Sequence, residues 1–310
     1  MLGLWIAFNV VLVFLIVLDL NYGKGRETSS KKAMLWSAAW VSLALLFNIA
    51  IGLCFGKIRA LEFLAGYLIE LSLSVDNLFV FLIVFKYFDT SSKYQPKILF
   101  WGILGALAMR LICILIGISL IQSFHSILYV FGLFLVITGI MMFKKKEKNF
   151  SPENNYILKI IKKIIPFQQD DEGGKFFIRK IVAGSVKIFA TPLFAVLVTI
   201  ETLDLLFALD SIPAIFGITL DPFIVYTSNA FAILGLRSLY FALQPLMGLF
   251  SYLHHGVCLV LIFVGLKMLL QALIVINIGV SLAVIALILL ASILLSLQRS
   301  PPTTGVTHAK

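Results

Sequence analysis

Long apolar runs separated by short polar breaks dominate the chain, with no sustained alternation of apolar and polar positions. A run of about twenty apolar residues is the length a helix needs to cross the hydrocarbon of a bilayer. On that rule the pattern predicts spans at about 1–21, 36–56, 62–86, 97–121, 125–143, 187–216, 222–244, 250–272 and 275–296. The expected fold is therefore an all-α polytopic membrane protein of about nine transmembrane helices. A transmembrane β-barrel is excluded, because its strands would alternate with period two. Met1 to Leu20 lacks a basic start and a small-residue cleavage site, so it reads as a retained span rather than a signal peptide.

Composition agrees with the pattern. Of 310 residues, 61% are hydrophobic and 13% charged, with a mean hydropathy of +1.05, whereas a soluble domain carries about 25% charge. The net charge of +10 does not imply a nucleic-acid partner, because it is concentrated between spans. Eleven basic and five acidic residues lie in 144–187. Lys24, Arg26, Lys31 and Lys32 crowd the first loop, and Lys86, Lys93 and Lys97 the loop after span three. Placing these loops in the cytoplasm gives an amino terminus outside and a carboxyl terminus inside, against which only the turn with Lys57 and Arg59 counts. A bacterial inner membrane fits, since no transit segment precedes the first span. Part of the basic loop (Ile157, Ile160, Ile161, Ile164) is expected as a surface-lying helix, and the stretch 168–174 as a turn. Cys54, Cys113 and Cys258 are scattered in apolar runs and read as packing residues.

Two segments share a pattern of acid, five mostly apolar or small residues, acid, then a small polar residue: Glu70 to Asn77 and Asp204 to Ser211. Ala106–Arg110 likewise matches Ile233–Arg237, and Gly139–Met142 matches Gly265–Met268, in the same order. Spans 3–5 and 6–8 thus read as two copies of a three-helix unit, inverted by the topology. Transporters built this way hold their substrate near the midplane between the copies. The expected organisation is two amino-terminal helices (1–61), a first repeat (62–143), a basic cytoplasmic loop (144–186), a second repeat (187–273) and a last helix with its tail (274–310).

Five carboxylates fall well inside spans: Glu70, Asp76, Glu201, Asp204 and Asp210. Each ionised acid at a helix centre costs about 2.5–3.5 kcal/mol on insertion scales, so something must compensate them. Arg110, Arg237 and Lys267 supply three positive charges against five negative, a residual of −2 that one divalent cation or two protons would balance. Lys267 lies near the outer end of its span and can snorkel. Positions six apart differ by about 240° on a regular helix. Asp204 and Asp210 therefore share a face only if Pro213 loosens the turn before it. With Asn77 and Ser211, the donors are all oxygens, which suits Mg²⁺, Ca²⁺ or Mn²⁺. His254 and His255 lie near a span end, away from the acids.

Ser74–Val80, Glu201–Phe216 and Thr227–Phe241 closely resemble the TerC family of integral membrane proteins, including its Alx-type members, over about residues 1–296. The resemblance implies manganese efflux within a LysE-like superfamily, with no tightly bound cofactor and Mn²⁺ as transported substrate. It also implies Glu70, Asp76, Glu201, Asp204 and Asp210 as metal-path carboxylates, and it places Asn77, Ser211, Asn229, Arg110 and Arg237 in family-like motifs. Met141 stands where a Lys is common in the family, leaving a repeat-end Lys only at Lys267. No enzymatic activity is expected: an intramembrane aspartyl protease would require Gly-x-Gly-Asp, whereas Asp76 and Asp210 follow Ser-Val and Ala-Leu. The alternative is a non-transporting membrane assembly or stress-complex subunit of the tellurium-resistance type.

Overall fold

The computed structural model describes residues 2–22, 30–124, 126–144, 166–167, 173–182, 185–244, 252–274 and 276–299. Its helices are α1 (Leu2–Tyr22), α2 (Ser30–Phe55), α3 (Lys57–Tyr87), α4 (Gln95–Ser123), α5 (Ile127–Lys144), α6 (Pro192–Phe216), α7 (Pro222–Leu234), α8 (Leu236–Leu243), α9 (Leu253–Leu269) and α10 (Ile278–Arg299), with a hairpin of β1 (Phe177–Val182) and β2 (Ser185–Ala190) ahead of α6. Five helical stretches among the described residues are long and apolar enough to cross a bilayer: 31–55, 57–87, 95–123, 192–216 and 278–298. Four shorter apolar stretches, 3–19, 127–143, 222–234 and 253–269, accompany them.

The polarity is that of a membrane protein. Val10, Phe14, Ile112, Ile116, Val130, Leu133, Leu287 and Leu290 are exposed, while Glu70, Arg110, Asp204 and Arg237 are buried. Lipid solvates the apolar exterior; buried ionised groups need protein partners instead.

The inner bundle is built from α3, α4, α6 and α7. Helices α4 and α6 run parallel, since Gly102 lies against Ile200, Gly105 against Glu201 and Gly117 against Phe216. So do α3 and α7, where Arg59 meets Asp221 and Gly66 meets Ser228. α3 and α6 are antiparallel: Thr219 donates to Glu62 at 2.9 Å, and Gly66 lies against Ile215. α5 and α9 also cross antiparallel, with Gly132 against Gly265 and Gly139 against Cys258. A Cβ at Gly265 would come within 2.7 Å of the Gly132 carbonyl, so small residues set this close approach.

Three expectations change. Residues 187–190, taken as the start of span six, belong to a β-strand, and α6 begins at Pro192, whose fixed φ and absent N–H suit a first helical position. The hairpin pairs Phe177 with Ala190 through Val182 with Ser185. It is pinned by Thr191 Oγ1 donating to the Lys175 carbonyl at 2.7 Å and by Lys97 Nζ donating to the Gly174 carbonyl at 2.8 Å. Span seven is divided at Gly235 into α7 and α8. Finally, α6 continues through Pro213 without a break, as prolines in membrane helices can where neighbouring groups satisfy the freed carbonyl. The surface helix expected within 144–165 and residues 168–172 of the expected turn lie outside the described residues; the last two residues of that stretch, Gly173 and Gly174, are at positive φ (75° and 82°).

Candidate functional site

Arg110 is the hub. Its helix, α4, carries it to the centre of the inner bundle, where it is 1% exposed. One guanidinium edge faces Asp204 of α6, with Nη2 to Oδ1 at 3.3 Å and Nε to Oδ2 at 3.5 Å. Nη1 donates to Glu70 of α3, and lies 3.1 Å from both the Ser211 hydroxyl of α6 and the Asn229 amide oxygen of α7. Four helices, two from each half of the chain, thus converge on one cation. The planar fork of arginine is the side chain that can serve several acceptors at once.

The supporting geometry is local. Asp204 and Ser211 are seven residues apart, two helical turns, so both face α4 on a regular helix. That removes the need for the loosened turn that Asp210 would have required. Ser74, one turn beyond Glu70 on α3, donates to the same Glu70 oxygen at 3.1 Å. Asn229 donates its own amide to the Val225 carbonyl at 2.9 Å, which aims its oxygen at Arg110. Among the described residues, the second Glu70 oxygen is buried without a hydrogen-bond partner, and so is one oxygen of Glu201. Glu201 lies against Gly105 of α4, where an added Cβ would sit 2.1 Å from its carboxylate. A small apolar cavity lined by Leu78, Phe81, Leu99, Ile103, Ile200 and Leu236 borders Asp204.

Of the expected residues, Arg237 and Lys267 have partners away from this centre. Asn77 is buried in α3, and Asp210 is half-buried near the end of α6; the Asp76 side chain lies outside the description. Arg237 instead pairs with Asp19 of α1, Nε to Oδ2 at 3.2 Å, and also donates to the Asp19 backbone carbonyl. Lys267 lies within electrostatic reach of Glu62. Glu62 and Glu70 are eight residues apart, about 12 Å of helix rise. His254 Nε2 lies 3.3 Å from the Met142 carbonyl at one end of α9, away from the acids as expected. Among the described residues no three His, Cys, Asp or Glu side chains gather as a metal cage: Glu70 and Asp204 are spaced by the guanidinium between them.

Asp19 and Glu62 are functional candidates that the sequence reading left aside. Both sit near the ends of apolar runs, where an acid is ordinarily assumed to reach water. Their signal was the unassigned charge of Arg237 and Lys267.

The chain is 46% identical over 99% of its length to the uncharacterized membrane protein STKORF319 of Myxococcus xanthus, 97% of which is covered. A membrane protein of Rickettsia bellii is 41% identical, with 95% of this chain and 97% of the relative covered. Alx of Escherichia coli strain K12, whose name proposes a membrane-bound redox modulator, is 41% identical over 94% of each chain. No solved structure matches. The model of the integral membrane protein TerC family matches residues 55–303, and the chain belongs to that family.

Proposed function

We propose that this protein is a transporter of the bacterial inner membrane that exports divalent metal ions, with Mn²⁺ as its cargo, through the acidic centre between α3, α4, α6 and α7. The observation that carries the reading is the cluster of Glu70, Asp204, Ser211 and Asn229, oxygen donors from both halves of the chain gathered in the apolar core. Glu70 and Asp204 against Arg110 sum to −1, and a scaffold built only for stability has no reason to bury an excess of acid. Hard oxygen donors of this kind favour Mn²⁺, Mg²⁺ or Ca²⁺ over thiophilic ions.

The helix pairing supports the inverted-repeat reading. Exchanging α3, α4 and α5 with α6, α7 and α9 carries the α3–α7 contact onto the α6–α4 contact and the α5–α9 contact onto itself. In such a frame one half rocks against the other around the shared site. In that frame the Glu62–Thr219 and Arg59–Asp221 contacts lie at the outer end, and the small cavity beside Asp204 lies on the side of the cytoplasmic loops. Protons returning onto the same carboxylates would complete the cycle, because protonation and metal binding compete.

The test is Mn²⁺ efflux from loaded proteoliposomes with and without an imposed proton gradient. The native protein should empty the vesicles faster than protein-free controls, and Asp204→Asn should abolish the difference. Equal rates for native protein and empty vesicles would refute transport. Native efflux indifferent to the gradient would refute proton coupling alone.

A further inference from the structure

Transport of a divalent ion leaves a problem that the geometry addresses. Once the ion departs, Glu70 and Asp204 remain as two acids deep in a low-dielectric core, and the empty carrier must still reorient. Uncompensated buried charge would make that return step slow. Arg110 is placed to solve it: its guanidinium spans Glu70 on α3 and Asp204 on α6, the two helices that would part when the halves rock. It also reaches Ser211 and Asn229, the neutral oxygens of the same cluster. A cargo cation seeking these four oxygens must occupy the ground that Arg110 holds. The buried unpartnered oxygen of Glu70 offers an entering ion a foothold before the guanidinium lets go.

We propose that Arg110 is a tethered counter-cation, which takes the place of the transported ion at Glu70 and Asp204 between passages and so permits the empty carrier to return. The inference rests on the transport reading above. The repeat-equivalent Arg237 does not share the task, being held by Asp19 of α1, so one cation serves both halves. Arg110 is thus a positioning and coupling residue: it contacts the acids and not the metal.

Two transport modes separate this role from a structural one. Net efflux requires the empty carrier to return, whereas exchange of ⁵⁴Mn²⁺ for unlabelled Mn²⁺ across the vesicle wall moves only the loaded carrier. Arg110→Gln should lose at least tenfold in net efflux, keep exchange within twofold of the native rate, and bind Mn²⁺ more tightly because its competitor is gone. If both modes fall together in a variant that elutes as a folded protein in detergent, Arg110 is a staple and the proposal fails. If neither mode changes, it also fails. Should Arg110→Gln not accumulate, Arg110→Lys, which keeps one charge but not the fork, carries the comparison. Its net efflux should fall at least threefold with exchange retained, and parallel or absent loss overturns the proposal. A native protein inactive in both modes would instead refute the transport reading itself.

Discussion

Glu70 offers the sharpest separation of charge from packing. It is wholly buried, and one of its oxygens accepts from Arg110 and Ser74. Glu70→Gln preserves shape and an acceptor; the Arg110 bond stays charge-assisted through the guanidinium but loses its ion-pair character, and the Ser74 bond falls from the charge-assisted range of about 1.5–3 kcal/mol to the neutral range of about 0.5–1.5 kcal/mol. The loss is therefore about 1 kcal/mol, a fall in melting midpoint of about 2–4 °C on the scaling for chains somewhat smaller than this one. Glu70→Ala strips Arg110 of one carboxylate and opens a void, with an expected cost of about 3–5 kcal/mol, enough to reduce accumulation in the membrane. Thermal denaturation of the detergent-purified variants measures both. Transport should separate them differently: Glu70→Gln, though folded, should lose at least tenfold in Mn²⁺ efflux, because the cluster has lost the charge that recruits the ion. Were Glu70→Ala as stable as the native protein, the ion-pair account of the core would be wrong. A fully active Glu70→Gln would remove Glu70 from the metal path.

Other expectations follow from individual contacts. Among the described residues, Asp19→Ala leaves Arg237 with the Asp19 backbone carbonyl, so thermal stability should fall toward the lower end of the about 3–5 kcal/mol cost of a broken buried pair; an unchanged midpoint would show that α1 is not anchored there. Gly105→Ala places a Cβ 2.1 Å from the Glu201 carboxylate, the movable end of a flexible side chain. Its stability should stay within about 1 kcal/mol of native while Mn²⁺ affinity drops, and an unaltered affinity would separate Glu201 from the site. Pro213→Ala restores an amide donor inside an already continuous α6. It should raise the melting midpoint and leave efflux unchanged; slowed efflux would reinstate a loosened turn as a working part.

Much of the architecture is readable from the chain because lipid imposes one demand on every span: about twenty apolar residues with their backbone bonds satisfied within the helix. That demand located the apolar helices, although α2 begins six residues and α3 five residues before the expected spans and span seven is divided at Gly235. The hairpin escaped it, since Ile188-Phe189-Ala190 looks like the beginning of a span when hydropathy is summed, and only its partner strand 177–182 reveals it as β. Acids in apolar runs likewise announced Glu70 and Asp204, because their cost demands a reason. The hub itself was less legible. Arg110 entered the sequence argument as charge compensation at large, alongside Arg237 and Lys267, yet the three have different partners: Glu70 and Asp204, Asp19, and Glu62. Which base meets which acid depends on helix rotation and on breaks such as that at Gly235, and hydropathy carries neither.

Direct binding of Mn²⁺ to the purified protein tests the central claim with least intermediary. Electron paramagnetic resonance of free Mn²⁺ should show one ion lost from solution per chain, with the loss abolished in Asp204→Asn and Glu70→Gln proteins that remain folded. An equal loss in native and variant proteins would place the ion elsewhere and contradict the account.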